Sequence, residues 1–323
     1  PRRLVGVAPR PSALGELGVV VSSLFVITSI PALPLLLAWL CWRAYRAEHG
    51  KRRRAWTIFL VALSGYLYVA LGPVKRRPDL VRTFTPFRWW LEYLSVRVAY
   101  RSGEPLPKRQ YLFVMMPHGL YPFSGACAAI SNMLDVFFGM RFGVAPVAFR
   151  LPILRHLISW IGGTTADKPS MAAALSQGDS VCLFPGGIGE MVGTSGAEES
   201  LLLLKRKGFV QLALQHGVPI VPVYTFGQTL LFGQLPLPAW VQRLSRWMRV
   251  SLIIPYGRFG LLVPRKLPLL YAIGAPIDCP KVSGAPAPEQ VDAIHGAVVS
   301  AVRELYDYYK GSYGWKNRPL RIA

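Results

Sequence analysis

Two uncharged stretches, Leu17 to Trp42 and Ala55 to Val74, constrain what this chain can fold into more than any other feature. They run 26 and 20 residues, and about 20 apolar helical residues cross the hydrocarbon core of a bilayer. A basic lead-in over residues 1–16, carrying Arg2, Arg3 and Arg10, and then a two-segment membrane hairpin over 17–74 are therefore expected. Pro31 and Pro34 should kink the first segment, and membrane helices tolerate both. The indoles of Trp39 and Trp42 suit a membrane–water boundary. An apolar stretch this long argues against a signal peptide.

Between the segments lies a basic loop with Arg43, Arg46, Lys51, Arg52, Arg53 and Arg54, and Lys75, Arg76 and Arg77 close the second segment. Basic clusters at every boundary give the positive-inside rule no purchase. Either the loop is translocated against its charge, or both segments dip into one leaflet. Two buried helices of a soluble bundle are the alternative reading of the same stretches.

Composition supports the membrane reading. The chain is 52% hydrophobic with a mean hydropathy of +0.33, too apolar for an ordinary soluble enzyme. Its net charge of +21 calls for an anionic partner: nucleic acid, an anionic membrane surface or a phosphorylated substrate. Cys41, Cys127, Cys182 and Cys279 are scattered, without CxxC or zinc spacing, as reduced structural cysteines facing a cytosolic compartment are. The chain starts at Pro1 rather than Met, which leaves room for a preceding peptide.

From Lys75 the pattern changes to short apolar runs alternating with amphipathic ones. Strands are expected at 111–116, 144–149, 180–184 and 219–224, with 252–254 and 269–273 as further candidates. Helices are expected near 122–138, 151–161, 169–177, 200–216 and 288–310. Such alternation predicts one α/β domain over 75–323 with a mainly parallel central sheet.

Three places in that domain carry chemistry. The apolar run Tyr111–Met116 ends at Pro117, which cannot donate to a ladder, and delivers His118 to a strand end, with Gly119 free to turn. A second run, Val181–Phe184, also ends at a proline, followed by Gly186, Gly187, Gly189 and the carboxylate of Glu190. Glycines at a strand end let backbone N–H groups approach a phosphate or an oxyanion. The third place is Lys205-Arg206-Lys207-Gly208, three cations on an otherwise apolar predicted helix that could grip a phosphorylated group or simply form a basic face. Thr164–Lys168 could line an acceptor pocket, although Asp167 capping the next helix explains it as well. His49, His156, His216 and His295 have no partners at metal-ligand spacing, so no metal site is expected.

Taken in order, Pro117-His118-Gly119, Phe184-Pro185-Gly186-Gly187 with Glu190, Arg206-Lys207-Gly208-Phe209 and Val218-Pro219-Ile220-Val221-Pro222-Val223 resemble the glycerolipid acyltransferases. The resemblance is most specific to the type-2 diacylglycerol acyltransferase branch, which includes monoacylglycerol and wax-alcohol acyltransferases. It extends over about residues 17–310, hairpin included. It implies a glycerolipid-acyltransferase-like domain in the endoplasmic reticulum membrane, facing the cytosol, and a place at the lipid-droplet surface. The implied reaction moves a long-chain acyl group from acyl-CoA to diacylglycerol, giving triacylglycerol, with acyl-CoA as co-substrate and no other cofactor.

By that resemblance His118 is the general base and Pro117, Gly119, Phe184, Pro185, Gly186 and Gly187 line the substrate site. Lys205, Arg206, Lys207 and Gly208 meet the CoA phosphates. The chain departs from the pattern twice. Met116 stands where many animal members have the first histidine of His-Pro-His-Gly, and Phe123 stands where the wider superfamily has the aspartate that orients its histidine. Glu190 is then the expected orienting group. Monoacylglycerol or a long-chain alcohol is the alternative acceptor, and a non-catalytic lipid-droplet or membrane scaffold the alternative from another class. Nucleic acid is not an expected partner, since no recognition motif accompanies the charge. Self-association is left open.

Overall fold

The computed structural model describes residues 4–7, 11–131, 137, 139–187, 189–190, 198–235, 238, 240, 243 and 254–323. At its N-terminus a short strand, β1 (Leu4–Val7), precedes two long helices, α1 (Ala13–Arg46) and α2 (His49–Leu71). They pack against each other as a hairpin. The turn between them is Ala47-Glu48, so the expected basic loop is instead two basic helix ends. α1 is one helix that contains both Pro31 and Pro34, as membrane helices tolerate.

Their surfaces belong in lipid. No residue of α2 is buried, which excludes a soluble-core helix, and Leu60, Val61, Tyr68 and Leu71 all stand more than half exposed. α1 presents Leu14, Leu17, Val21, Phe25 and Leu35 in the same way. Its hydroxyls are satisfied within the helix: Ser23 and Thr28 donate to carbonyls four residues earlier, as polar side chains in an apolar helix do. At the hairpin turn the guanidinium groups of Arg43 and Arg46 lie over the rings of Trp39 and Trp42, an arrangement suited to the headgroup region. Exposure of this kind over two helices long enough for a bilayer makes the chain membrane-associated.

The rest is mixed α/β. After α3 (Pro78–Thr83) and α4 (Thr85–Tyr93), an eight-stranded sheet is ordered β1-β2-β11-β8-β3-β6-β4-β5. Its strands are β2 (Arg97–Tyr100), β3 (Leu112–Met116), β4 (Arg141–Val144), β5 (Gly163–Thr165), β6 (Val181–Leu183), β8 (Ile220–Phe226) and β11 (Leu270–Ile273). The five from β8 to β5 are mutually parallel, while β11 runs antiparallel to β8. β3 sits between β8 and β6 with every residue buried, which is why its sequence is an unbroken apolar run rather than an alternating one.

Successive β3 side chains feed two cores. Phe113 and Met115 join one with Val19 of α1, Leu91 of α4, Cys127 of α5 (Phe123–Ile130) and Ile158 of α6 (Pro152–Trp160). Leu112, Val114 and Met116 join the other with α7 (Lys168–Ser176), α8 (Gly208–His216) and α9 (Pro288–Tyr313). The membrane helices therefore lie on the α4–α6 side of the sheet. They are fastened there at both ends. Gly18 leaves room for the Trp89 indole, which a Cβ would meet at 2.3 Å, and Arg155 and His156 of α6 grip the carbonyl of Val69 near the end of α2.

Two expected elements differ. The run 144–149 is not a strand: the ladder ends at Val144 because Pro146 has no N–H to donate, and 146–150 form a 3-10 turn. Of the helix expected over 200–216, only 208–216 is helical, since β7 (Glu199–Leu201) pairs in parallel with β12 (Leu320–Ile322). The helix expected over 122–138 is observed as α5; most of 131–138 lies outside the described residues. Residues 252–253 lie outside them too, and the strand there is β10 (Ile254–Tyr256), paired with β9 (Gly233–Leu235).

Candidate active site

His118 leaves the C-terminal edge of β3, past a cis Met116–Pro117 peptide, and its side chain is half-buried. The chain turns back at once. Gly119 adopts φ +64°, and a Cβ there would lie 3.0 Å from Gln228 Nε2 and 3.1 Å from the Gln228 carbonyl. This conformation aims the Gly119 carbonyl at the imidazole, 2.8 Å from Nδ1. A carbonyl can only accept, so Nδ1 carries the proton and the lone pair of the neutral ring is on Nε2. Among the described residues nothing hydrogen-bonds to Nε2. Burial holds the pKa of His118 below its ordinary value, and the Gly119 carbonyl partly opposes that shift. The site is thus built around a neutral imidazole with a fixed tautomer and an open basic nitrogen.

The second strand end lies beside it. β6 is paired with β3 in register (Val114 opposite Leu183), so the Phe184–Gly187 turn emerges at the same edge. The Phe184 ring meets the His118 ring in a T-shaped contact, centroids 5.6 Å apart, and its far side rests on Gly125, where a Cβ would be 2.9 Å away. Gly187, at φ +53°, closes the turn by donating its N–H to the Phe184 carbonyl. Gly186 is needed for space, because its Cβ would stand 2.0 Å from the Glu190 carboxylate.

Glu190 is 3% exposed and, among the described residues, accepts from the backbone N–H groups of His118 at 2.7 Å and Leu202 at 2.9 Å. Burial raises its pKa while those two bonds pull it down. This corrects the expectation that Glu190 orients the imidazole. The carboxylate holds the backbone of His118, and the ring is oriented by a neighbouring carbonyl that a short turn supplies without any side chain.

The cations sit differently from expectation as well. Lys205, Arg206 and Lys207 lie in the turn ahead of α8, not on a helix face, and Lys205 and Arg206 are exposed. Lys207 pairs with Asp292 of α9. The Arg206 guanidinium approaches Gly189, 3.8 Å from where a Cβ would be, and favours the charged form of Glu190. Gly208 opens α8, and a Cβ there would meet nothing within 4 Å beyond its own helix and chain neighbours.

Two residues that sequence reasoning passed over complete the site. Gln228, just after β8, is 1% exposed; its Nε2 donates to the carbonyls of His118 (3.0 Å) and Tyr121, and its Oε1 accepts from Ser124 N–H (2.9 Å). It therefore fixes the whole 118–124 turn. Gly227-Gln228 closing an apolar strand repeats the Pro117-His118 pattern and was the available signal. The other is Glu199, fully buried, which accepts from Tyr224 Oη, Thr229 Oγ1 and Arg318, the last at 2.7 Å. It anchors β7, whose next residue, Leu202, holds Glu190.

At the position that lacks the superfamily aspartate, Phe123 stacks on Trp90 of α4 (5.4 Å between centroids) and touches Phe232, which in turn meets Tyr121. These four rings form an apolar wall from the His118 turn to α4 and so to α1. Met116, at the other departure, is 1% exposed in the opposite core and can play no part as a base.

The remaining sequence candidates are structural. Asp167 caps α7 through Ser170 N–H at 2.9 Å, and its hydrogen bonds, the one with the Thr165 hydroxyl foremost, hold its pKa down at about 2. His156 reaches the Val69 carbonyl and His295 the Leu203 carbonyl. Among the described residues no three His, Cys, Asp or Glu side chains cluster as a metal site would require. A depression of about 410 Å³, lined by Arg109, Gln110 and Asp278, lies at the far end of β3 from His118 and is separate from this site.

Comparison with known proteins gives a consistent picture. The family described as Diacylglycerol acyltransferase matches residues 52–322. Diacylglycerol O-acyltransferase 2 of Danio rerio is 30% identical over 281 residues, covering 80% of this chain and 77% of the relative. 2-acylglycerol O-acyltransferase 1 of Bos taurus is 28% identical, with 80% and 83% covered. Acyl-CoA wax alcohol acyltransferase 2 of Homo sapiens is also 28% identical, with 80% and 84% covered. No solved structure matches the chain.

Proposed function

Because this chain belongs to the diacylglycerol acyltransferase family, we propose that it transfers a long-chain acyl group from acyl-CoA to the free hydroxyl of diacylglycerol, making triacylglycerol. The observation that carries the reading is the His118 turn: Nδ1 is held on the Gly119 carbonyl, and no described residue hydrogen-bonds to Nε2. The hydroxyl proton passes to Nε2 as the alcohol oxygen attacks the thioester carbonyl; the C–S bond then breaks and the imidazolium returns its proton to the CoA sulfur. A base so placed contributes roughly 10²–10⁴-fold, and positioning of the two substrates supplies much of the rest. Acyl-CoA is a co-substrate, and the reaction as written needs no further cofactor.

The surroundings support the same assignment. Pro117, Gly119, Phe184, Pro185, Gly186 and Gly187 form the floor next to the base, and the Trp90–Phe123–Phe232–Tyr121 wall offers acyl chains an apolar path between α1 and His118. Lys205 and Arg206, at the N-terminal end of α8, are the exposed cations to which we assign the CoA phosphates. Glu190 keeps its place in the proposal as a positioning residue, holding the His118 backbone. We further propose a glycerolipid-acyltransferase-like fold in the endoplasmic reticulum membrane, cytosolic on its domain side, with access to the lipid-droplet surface. Its four unpaired cysteines suit a reducing compartment.

The family also supplies the second reading, since relatives named for 2-acylglycerol and for wax alcohol match over the same share of the chain. Protein reconstituted in lipid and given labelled oleoyl-CoA with diacylglycerol, monoacylglycerol or a long-chain alcohol decides between them. Triacylglycerol as the main product supports the proposal; a dominant diacylglycerol or wax ester product reassigns the acceptor. Folded protein that transfers to none of them would leave a membrane scaffold as the better account.

A further inference from the structure

We propose that the paired strands β9 and β10 and the turn after β10, residues 233–235 and 254–266, are a second membrane contact, seating the α/β domain on the bilayer at the level where α1 enters it. The surface there is apolar without being covered. Leu235 and Ile254 on paired strands, and Phe259 and Leu261 on the turn, are 48%, 52%, 69% and 46% exposed. At the tip Phe259 and Gly260 both adopt positive φ, +60° and +72°, a conformation that bulky residues rarely take and that here thrusts the phenyl ring outward. Behind the tip, Arg258 lies over the Phe259 ring and Arg265 over the Tyr256 ring, the mixture of aromatic and cationic groups that suits a headgroup layer.

What commits this surface to lipid is its fixed height on the molecule. Both Arg258 and Lys266 form ion pairs with Glu16, in the first turn of α1. Glu16 is the last charge before the 26-residue uncharged stretch, so it marks the polar boundary of the bilayer whether the hairpin spans or dips. Leu14 and Leu17 flank it and are 66% and 58% exposed. The apolar tip is therefore continuous with the lipid-facing surface of α1, and it lies on the same edge of the sheet as His118, since β11 leaves this turn opposite the end of β8. Apolar side chains of such a surface enter about 5–10 Å into the boundary between headgroups and acyl chains. The inference rests on α1 being a membrane helix and not on the chemistry at His118.

Depth-dependent quenching tests it. The full chain with Cys41→Ala, whose other three cysteines are buried, receives a single labelled cysteine at Phe259, Leu261 or Ser283. Ser283 is exposed beyond Val282, which bonds to the end of α8 at the opposite sheet edge. In phosphatidylcholine vesicles containing lipids spin-labelled high on the acyl chain, labels at 259 and 261 should be quenched several-fold more than the label at 283. Quenching at 259 and 261 no stronger than at 283 overturns the proposal. A shift in emission that follows protein-to-lipid ratio, without lipid quenching, overturns it in favour of contact between two copies of the chain.

Discussion

At the scale of single residues, the account turns on a histidine whose tautomer is set by its own backbone. The Gly119 carbonyl can hold only a protonated Nδ1, so base catalysis requires the neutral ring, and burial favours that ring down to lower pH than usual. Acyl transfer should consequently be level above the ordinary histidine value of 6.5 and fall only below it, as His118 takes up a proton. A profile of kcat/KM against pH checks this, and an inflection above 6.5 attributable to His118 would contradict it. Gly186→Ala tests the neighbouring carboxylate. A Cβ 2.0 Å from Glu190 must displace it from the N–H groups of His118 and Leu202. Losing two charge-assisted bonds in a buried place should cost roughly 3 kcal/mol or more, visible as a lowered Tm together with a fall in kcat. An unchanged Tm would mean that Glu190 has room to move.

At the scale of elements, the C-terminal strand β12 reaches the site through a chain of contacts: Arg318 pairs with Glu199, Glu199 anchors β7, and Leu202 beside β7 holds Glu190. Arg318→Met leaves Glu199 buried without its partner and should destabilise by about 3–5 kcal/mol. Adding Glu199→Gln should recover much of that loss, and a double-mutant cycle in denaturant reads the difference. None of this was legible in the sequence, because nothing local links residue 199 to residue 318. The same non-local pairing turned a predicted helix at 200–207 into β7 and a basic turn. By contrast β3, β6 and β8 were readable, since strands buried on both faces are written as apolar runs and here end at Pro117, Pro185 and Gly227. Of the site, the two strand ends could be located in advance. The orienting group could not, because a backbone carbonyl has no letter of its own, and Gln228 was marked only by the Gly227-Gln228 pair that closes an apolar run, since its role depends on where β8 lies relative to β3.

At the scale of the whole molecule, membrane and chemistry share one side of the sheet. α1 packs on α4, α4 meets α5 through the Trp90–Phe123 stack, and α5 begins five residues after His118. Phe123, a departure from the family pattern when read as a letter, is part of this connection. It puts an aromatic ring between the base and the bilayer where a carboxylate would meet apolar acyl chains. The most direct test of the account is labelled oleoyl transfer from oleoyl-CoA to diacylglycerol in proteoliposomes, wild type against His118→Ala, with both proteins matched for amount and Tm. The account predicts triacylglycerol formation by the wild type and a loss of at least about 10²-fold in the variant; a folded His118→Ala protein that still makes triacylglycerol at near the wild-type rate would contradict it.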